Sequence, residues 1–146
     1  MELCYRGNIK ICSTIDNLDE CGLVESSEKN EQSFPAESTE WADGHTTISY
    51  REVDGENAAD ALITVTPDTV TVKREGAISS EFIFRVGFTQ KTLYSIPPFS
   101  FDAEIAAKKI RGQINGGEGE LTIIYDMTVG GAKKSIRMKI TLTKEG

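Results

Sequence analysis

The residues with catalytic potential are few and lie far apart in the sequence. His45 is the only histidine and stands in the turn "DGHTT", with no serine or cysteine in an obvious partnership with it. Nucleophilic catalysis requires a base beside the nucleophile. Asp102 and Glu104 lie two positions apart and would share one face of a strand, where carboxylates can act in acid–base chemistry or simply face solvent. We interpret His45 as an exposed turn residue and the carboxylates as part of a solvated face, and we predict a protein without enzymatic activity.

The sequence also lacks the usual motifs of metal sites and phosphate-binding loops. Cys4, Cys12 and Cys21 are too widely spaced to form the close ligand pairs of a zinc site, and their odd number does not indicate a disulfide framework. Gly116–Gly117 and Gly130–Gly131 are not followed by the helix or the lysine of a phosphate-binding loop, so we interpret them as hairpin turns. We expect no metal site and no cofactor.

The segments around these residues are predicted to be β-strands. Apolar and polar residues alternate from about residue 45 onward, the period of half-buried strands, and turn sequences such as "DGEN" and "INGGEG" separate the runs. The segment "FDAEIAAKKIRG" (101–112) has some helix propensity, but its alternation favours a strand. Because the gaps are short, neighbouring strands should pair as antiparallel hairpins. The predicted strands are about 2–13, 33–42, 45–53, 60–66, 69–75, 78–86, 89–95, 99–110, 120–129 and 134–143.

The length and the strand pattern predict one domain, 1–146, of the all-β class. Ten antiparallel strands leave two edges exposed, and closing the sheet into an up-and-down β-barrel removes both. A β-sandwich is the alternative, but it usually needs Greek-key crossovers. The acidic, turn-rich segment 16–33 is predicted to be a mobile loop. We therefore predict a single closed antiparallel barrel with little or no helix.

Four features of the sequence occur together: Tyr50 after a strand-initiating turn, Arg74-x-Gly76 with two following serines, the corner "YSIPPFS" at 94–100, and the closing pair of strands. With these features the chain resembles the YwiB-like family of small bacterial proteins of unknown function, which are calycin-like, or lipocalin-like, β-barrels. The resemblance covers roughly 1–13 and 33–146, and the family pattern usually has glycine where this chain has serine at position 100. It implies a closed barrel in the bacterial cytoplasm and no accepted activity.

The corner "YSIPPFS" is the best candidate for a binding site. Calycin barrels hold small, partly apolar ligands that enter through a mouth built from such loops. Tyr94, Pro97, Phe99 and Phe101 are candidates to line this mouth, and the polar end of a ligand would meet Arg74, Ser79 and Ser80. The alternative is that the corner only plugs one end of the barrel, and the inward residues favour this alternative because they are large enough to fill a small barrel. Trp41, beside a turn, would cap the core or contact a partner.

The closing stretch "KKSIRMKITLTKEG" has an apolar face and a basic face. Residues 108–146 contain eight basic and four acidic side chains, whereas residues 1–107 contain eight basic and nineteen acidic ones. The basic residues would pair with acidic ones across neighbouring strands, join two copies in a homodimer, or bind an anionic partner. We favour pairing across neighbouring strands. Homodimer formation gives the alternative function, an interaction module that self-associates through charge-segregated surfaces. The candidate interaction surface is Lys133, Lys134, Arg137 and Lys139.

The net charge and the lengths of the apolar runs argue against some classes of partner. A net charge of −7 argues against nucleic acid, which is bound mostly through cationic contacts with phosphates. No apolar run approaches the roughly 18 residues of a membrane-spanning helix, and the first residues lack the apolar core of a signal peptide. We therefore expect a cytoplasmic location and no membrane partner.

Overall fold

The computed structural model describes residues 2–145, which form ten β-strands joined by turns. No helix in this range is long and apolar enough to cross a membrane. The helical alternative for 101–112 is excluded, because this segment lies inside a strand of 17 residues. The strands are β1 (Leu3–Leu18), β2 (Val24–Glu40), β3 (Thr46–Asp54), β4 (Asn57–Val65), β5 (Val70–Gly76), β6 (Ser80–Phe84), β7 (Thr89–Ile96), β8 (Phe99–Asn115), β9 (Glu118–Val129) and β10 (Ala132–Lys144).

The ten strands form one antiparallel sheet that curls into a barrel. Its order is β6-β5-β4-β3-β2-β1-β10-β9-β8-β7, so strands that follow one another in sequence are neighbours, and β1 also pairs with β10. Short turns enforce this order, since connections of two to five residues favour an antiparallel return to the neighbouring position. Between residues 2 and 145 there is no crossover of the kind a Greek-key sandwich needs. The predicted up-and-down barrel is confirmed.

A glutamine side chain helps to close the barrel where β6 meets β7. The backbone of Ser79 exchanges two hydrogen bonds with that of Ser95, at 2.8 and 2.9 Å. Beyond this bridge, the buried amide of Gln90 takes the place of a backbone: it accepts a hydrogen bond from the N–H of Ile83 and donates one to the carbonyl of Glu81, both at 2.9 Å. Buried strand groups need partners, so this amide satisfies an edge that would otherwise be open.

Packed side chains fill one half of the barrel. We call the end formed by the turns at 54–57, 96–99 and 129–132 the mouth end. Away from it, inward positions of β1, β3, β4, β8, β9 and β10 carry branched apolar residues, and each fully buried isoleucine contributes roughly 1.5–3 kcal/mol to folding by leaving water. The fully buried isoleucines are Ile9, Ile48, Ile63, Ile105, Ile123 and Ile140.

The prediction of a mobile loop at 16–33 was wrong. β1 continues to Leu18 and β2 begins at Val24, so only a five-residue turn separates them. Polar groups pair across this hairpin: the hydroxyl of Ser27 donates to Asp16 at 2.7 Å, and Lys10 meets Glu31 at 3.0 Å. The prediction failed because β2 is exposed on both faces from Val24 to Glu31 and so shows no apolar alternation.

Candidate functional site

A cavity of about 720 Å³ occupies the mouth half of the barrel. Its size falls within the range of small-molecule sites, roughly 300–1,000 Å³. It is framed at the mouth by Asp54, Ile96, Pro97 and Val129. The barrel is therefore filled at one end and hollow at the other. The apolar walls of the cavity include Ile11, Ile15, Val72, Phe82, Phe84, Met127, Ile136 and Met138.

A buried ion pair forms the polar part of the cavity wall. Nε of Arg74 donates to Oε2 of Glu52 at 2.8 Å, and both side chains are less than one-fifth exposed. The two residues lie on β5 and β3, with Ala59 and Ala61 of β4 between them in the register. Small side chains on β4 leave room for the long guanidinium to cross that strand. The pair neutralises itself, which lowers the cost of burying either charge.

Three tyrosines surround this pair. Burial raises the pKa of Tyr50 and of Tyr125 to about 12, and it also raises the pKa of Tyr94. The positive charge of Arg74 partly opposes each shift, which places all three hydroxyls within its electrostatic reach. Tyr50 nevertheless forms no hydrogen bond of normal geometry through its buried hydroxyl. The phenols are therefore neutral at physiological pH and can act as hydrogen-bond donors.

The cavity has a side opening between β2 and β3. These strands pair from Glu40–Thr46 to Ala36–Tyr50 and then separate. Asn30 and Gln32 of β2 and Glu52 and Asp54 of β3 line the cavity beyond this point. The wall is thus incomplete at this point, and polar side chains border the gap.

A second depression, of about 840 Å³, lies on the outer wall near Asn8, Pro35 and Ser49. It is more open to solvent than the barrel cavity. One of its charged pairs, Arg6 with Glu37, is strongly exposed at 3.6 Å. Such a pair is screened by water and contributes little to binding. The internal cavity is the better candidate.

The predicted ligand residues fall into three groups. Arg74, Tyr94 and Pro97 line the cavity. Phe99 and Phe101 pair with Ile96 and Tyr94 and so share their inward face, but they stand at the rim and are 64% and 39% exposed.

The two predicted serines lie at the seam between β6 and β7. Ser79 bridges it through its backbone, and Ser80 lies opposite Arg74 with its hydroxyl buried and unpaired. Sequence reasoning missed Glu52, Tyr50 and Tyr125 as polar residues of the site. Alternation places their side chains inward, and an inward glutamate is the signal that would have identified the partner of Arg74.

The predicted basic surface is divided between two faces of β10. Lys133, Arg137 and Lys139 alternate on the outer side, whereas Lys134 lies on the other face and lines the cavity. Lys139 pairs with Glu120 of the neighbouring strand at 3.3 Å. At least this part of the charge is balanced across strands, as the favoured interpretation expects.

His45 and Trp41 form a small cluster in the turn after β2, at the end opposite the mouth. Their rings stack at 5.7 Å, and the indole of Trp41 donates to the hydroxyl of Thr47 at 2.9 Å. The backbone N–H of His45 donates to Asp43 and lowers the pKa of that carboxyl. Trp41 is 37% exposed, so it braces the turn and does not cap the buried core.

The fold and cavity define the class: a small antiparallel up-and-down β-barrel that is hollow at one end. The sequence matches the family described as a domain of unknown function (DUF1934) over residues 9–142, and the chain belongs to that family. A comparison with curated proteins found no match. Among solved structures, the ywiB protein from Bacillus subtilis is similar, with 17% identity and a TM-score of 0.74 over 95% of this chain and 94% of that one. At this identity the likeness shows a shared fold.

Proposed function

We propose that this protein is a non-enzymatic binding protein that holds a small, partly apolar molecule in the mouth half of its barrel. The observation that carries the proposal is the cavity of about 720 Å³. Its walls are mostly apolar, and Arg74 and Glu52 supply a few polar groups at one place. That combination is typical of small-molecule sites, in which apolar walls give affinity and a few polar groups orient the ligand.

The position of the aromatic corner supports the same proposal. Ile96, Phe99 and Phe101 leave apolar surface exposed at the rim, directly beside the cavity. Exposed apolar surface next to a concave site often belongs to that site. In this proposal the ligand enters through the gap between β2 and β3 or past the corner, and it covers part of this surface.

The test combines native mass spectrometry with a fluorescent probe. We expect the protein purified without denaturant to carry a mass excess that solvent extraction removes. The extracted protein should then bind N-phenylnaphthylamine, a neutral apolar fluorophore, with increased emission. Ala59→Phe should abolish probe binding, because Ala59 lines the cavity and a phenyl ring there would occupy it.

Leu62→Phe is the matched control, since Leu62 lies on the same strand but faces outward and is 41% exposed. It should bind the probe as the natural protein does. A bare mass together with no probe binding would overturn the proposal. Equal probe binding by both variants would also overturn it, because the probe would then occupy another surface.

A further inference from the structure

Arg74 brings hydrogen-bond donors to the cavity wall that the rest of the protein does not fully use. A guanidinium has five N–H groups, and Arg74 uses its Nε–H on Glu52. Within residues 2–145, its terminal amino groups form no hydrogen bond of normal geometry, although the hydroxyl of Tyr50 lies close enough to interact with the guanidinium. Arg74 lines the cavity, so these amino groups are available to a molecule inside it.

Two tyrosine hydroxyls can also donate to a molecule in the cavity. Tyr94 and Tyr125 line the same cavity, and neither hydroxyl is bonded to another group in the described part of the chain. Tyr50 and Ser80 share the register row of Arg74, and their buried hydroxyls form no hydrogen bond of normal geometry, but neither residue lines the cavity. A ligand atom that accepts hydrogen bonds would therefore meet donors from Arg74, Tyr94 and Tyr125.

The charges of the cavity limit what that ligand atom can be. Arg74 and Lys134 are the cationic side chains that line it, and Glu52 and Asp54 are the anionic ones, so the charges balance. A ligand carboxylate would meet the carboxylate of Glu52 in the same low-dielectric space, and an ammonium would meet Arg74. Either ion would leave one charge uncompensated in a mostly apolar site.

We propose that the ligand is an uncharged molecule with an apolar body and a carbonyl-type oxygen, as in an amide, ester or ketone, placed against Arg74 and the tyrosine hydroxyls. This inference rests on the proposed function, because it requires the cavity to be a ligand site. The carbonyl accepts from the guanidinium and from a phenol, and the apolar body lies against the phenylalanine and methionine side chains of the wall.

Three ligands of equal chain length separate the possibilities: decanamide, decanoate and decylamine, each competing with N-phenylnaphthylamine at neutral pH. We expect decanamide to bind at least about tenfold more tightly than either ion, the factor that corresponds to one net hydrogen bond or one unpaired charge. Tighter or equal binding of decanoate or decylamine would overturn the inference and leave the proposed function standing. If none of the three displaces the bound probe, the inference fails and the proposed function stands, whereas a protein that does not bind the probe at all contradicts both.

Single hydroxyl deletions test the location of the carbonyl. Tyr125→Phe and Tyr94→Phe each remove one donor from the cavity and should weaken decanamide about three- to tenfold while leaving the affinity for the apolar probe unchanged. Tyr5→Phe is the matched control: Tyr5 lies near Gly117 and Lys144 at the other end of the barrel. Equal decanamide affinity in all three variants would contradict the assignment.

Discussion

Arg74 and Glu52 are mutually dependent, because each is the charge partner of the other inside the barrel. Arg74→Met should leave the carboxylate of Glu52 without its cation. Breaking a buried ion pair in this way costs roughly 3–5 kcal/mol, and we expect the lower end because both side chains retain some exposure. Urea unfolding followed by Trp41 fluorescence measures the change.

Arg74→Met combined with Glu52→Leu provides the control for that measurement. It removes both charges and fills similar space with apolar groups, so the free energy of unfolding should return to within about 1 kcal/mol of the natural value. A single variant as stable as the natural protein would show that Glu52 is well solvated, contrary to its burial.

Gln90 is the second residue on which local structure depends. Gln90→Leu should leave the N–H of Ile83 and the carbonyl of Glu81 unpaired at the β6–β7 seam and destabilise the protein by about 2–3 kcal/mol. Lys91→Leu introduces the same side chain at the next, exposed position and should change stability by no more than about 0.5 kcal/mol. Equal denaturant midpoints for the two variants would show that the seam does not need the amide.

At the scale of the element, long strands bend where glycine allows a close approach. Gly112 of β8 has φ of +96°, and a Cβ there would lie 2.0 Å from the carbonyl oxygen of Glu120 on β9. Gly44 has the same φ of +96° in a turn with nothing within 4 Å of its would-be Cβ. An alanine at Gly44 therefore tests backbone strain alone, whereas an alanine at Gly112 tests backbone strain together with steric overlap.

Gly44→Ala should cost about 1–2 kcal/mol, the penalty for a side chain in the left-handed region. Gly112→Ala should cost at least about twice that, because it also pushes β9 away from β8. Thermal and urea unfolding of the two variants measure the difference. Similar losses would mean that the strands can separate at Gly112 without cost.

The β1–β2 hairpin should show a characteristic exchange pattern. From Val24 to Pro35, β2 pairs with β1 alone, whereas β1 pairs with both β2 and β10. Successive amides of a strand point to opposite sides, so every second amide between 24 and 35 faces no strand partner. NMR-detected hydrogen exchange should show alternating fast and slow amides there and uniform protection in β1 from Asn8 to Asn17. Uniform protection of β2 would indicate a strand on its free edge, such as one from a second copy of the chain.

At the scale of the whole molecule, buried tyrosines make stability sensitive to alkaline pH. Tyr50 and Tyr125 keep their protons in the folded state until the pH reaches about 12, whereas in the unfolded chain they ionise near the usual pKa of about 10. Between these values the unfolded chain binds fewer protons, so stability falls as pH rises. The loss should amount to roughly 2–3 kcal/mol for each tyrosine across the window.

Urea midpoints measured from pH 8 to beyond pH 11 test this expectation. The double variant Tyr50→Phe, Tyr125→Phe cannot ionise at these positions, and its stability should fall less steeply over the same range. Parallel curves for the variant and the natural protein would show that other groups control alkaline unfolding.

Much of the wall of this barrel could be predicted from the sequence alone. Alternation in segments such as "SEFIFRV" fixes which side chains point inward, and the short turns fix which strands are neighbours, because both depend on local geometry. The same local signal disappears in β2, where Val24–Glu31 is exposed on both faces, and there the prediction failed.

The site depended on contacts between residues far apart in sequence. Sequence reasoning proposed Arg74 as a polar contact in the barrel mouth, but its partner Glu52 is 22 residues away and is brought close only by the curl of β3, β4 and β5. The hollow half likewise depends on how side chains from all the strands fill the barrel, which no single segment reports. The sequence therefore determined the strands, their order and the barrel, since these follow from local period and turn length. Only the tertiary structure decided where the barrel stays open, because an unfilled volume is a property of the packed whole.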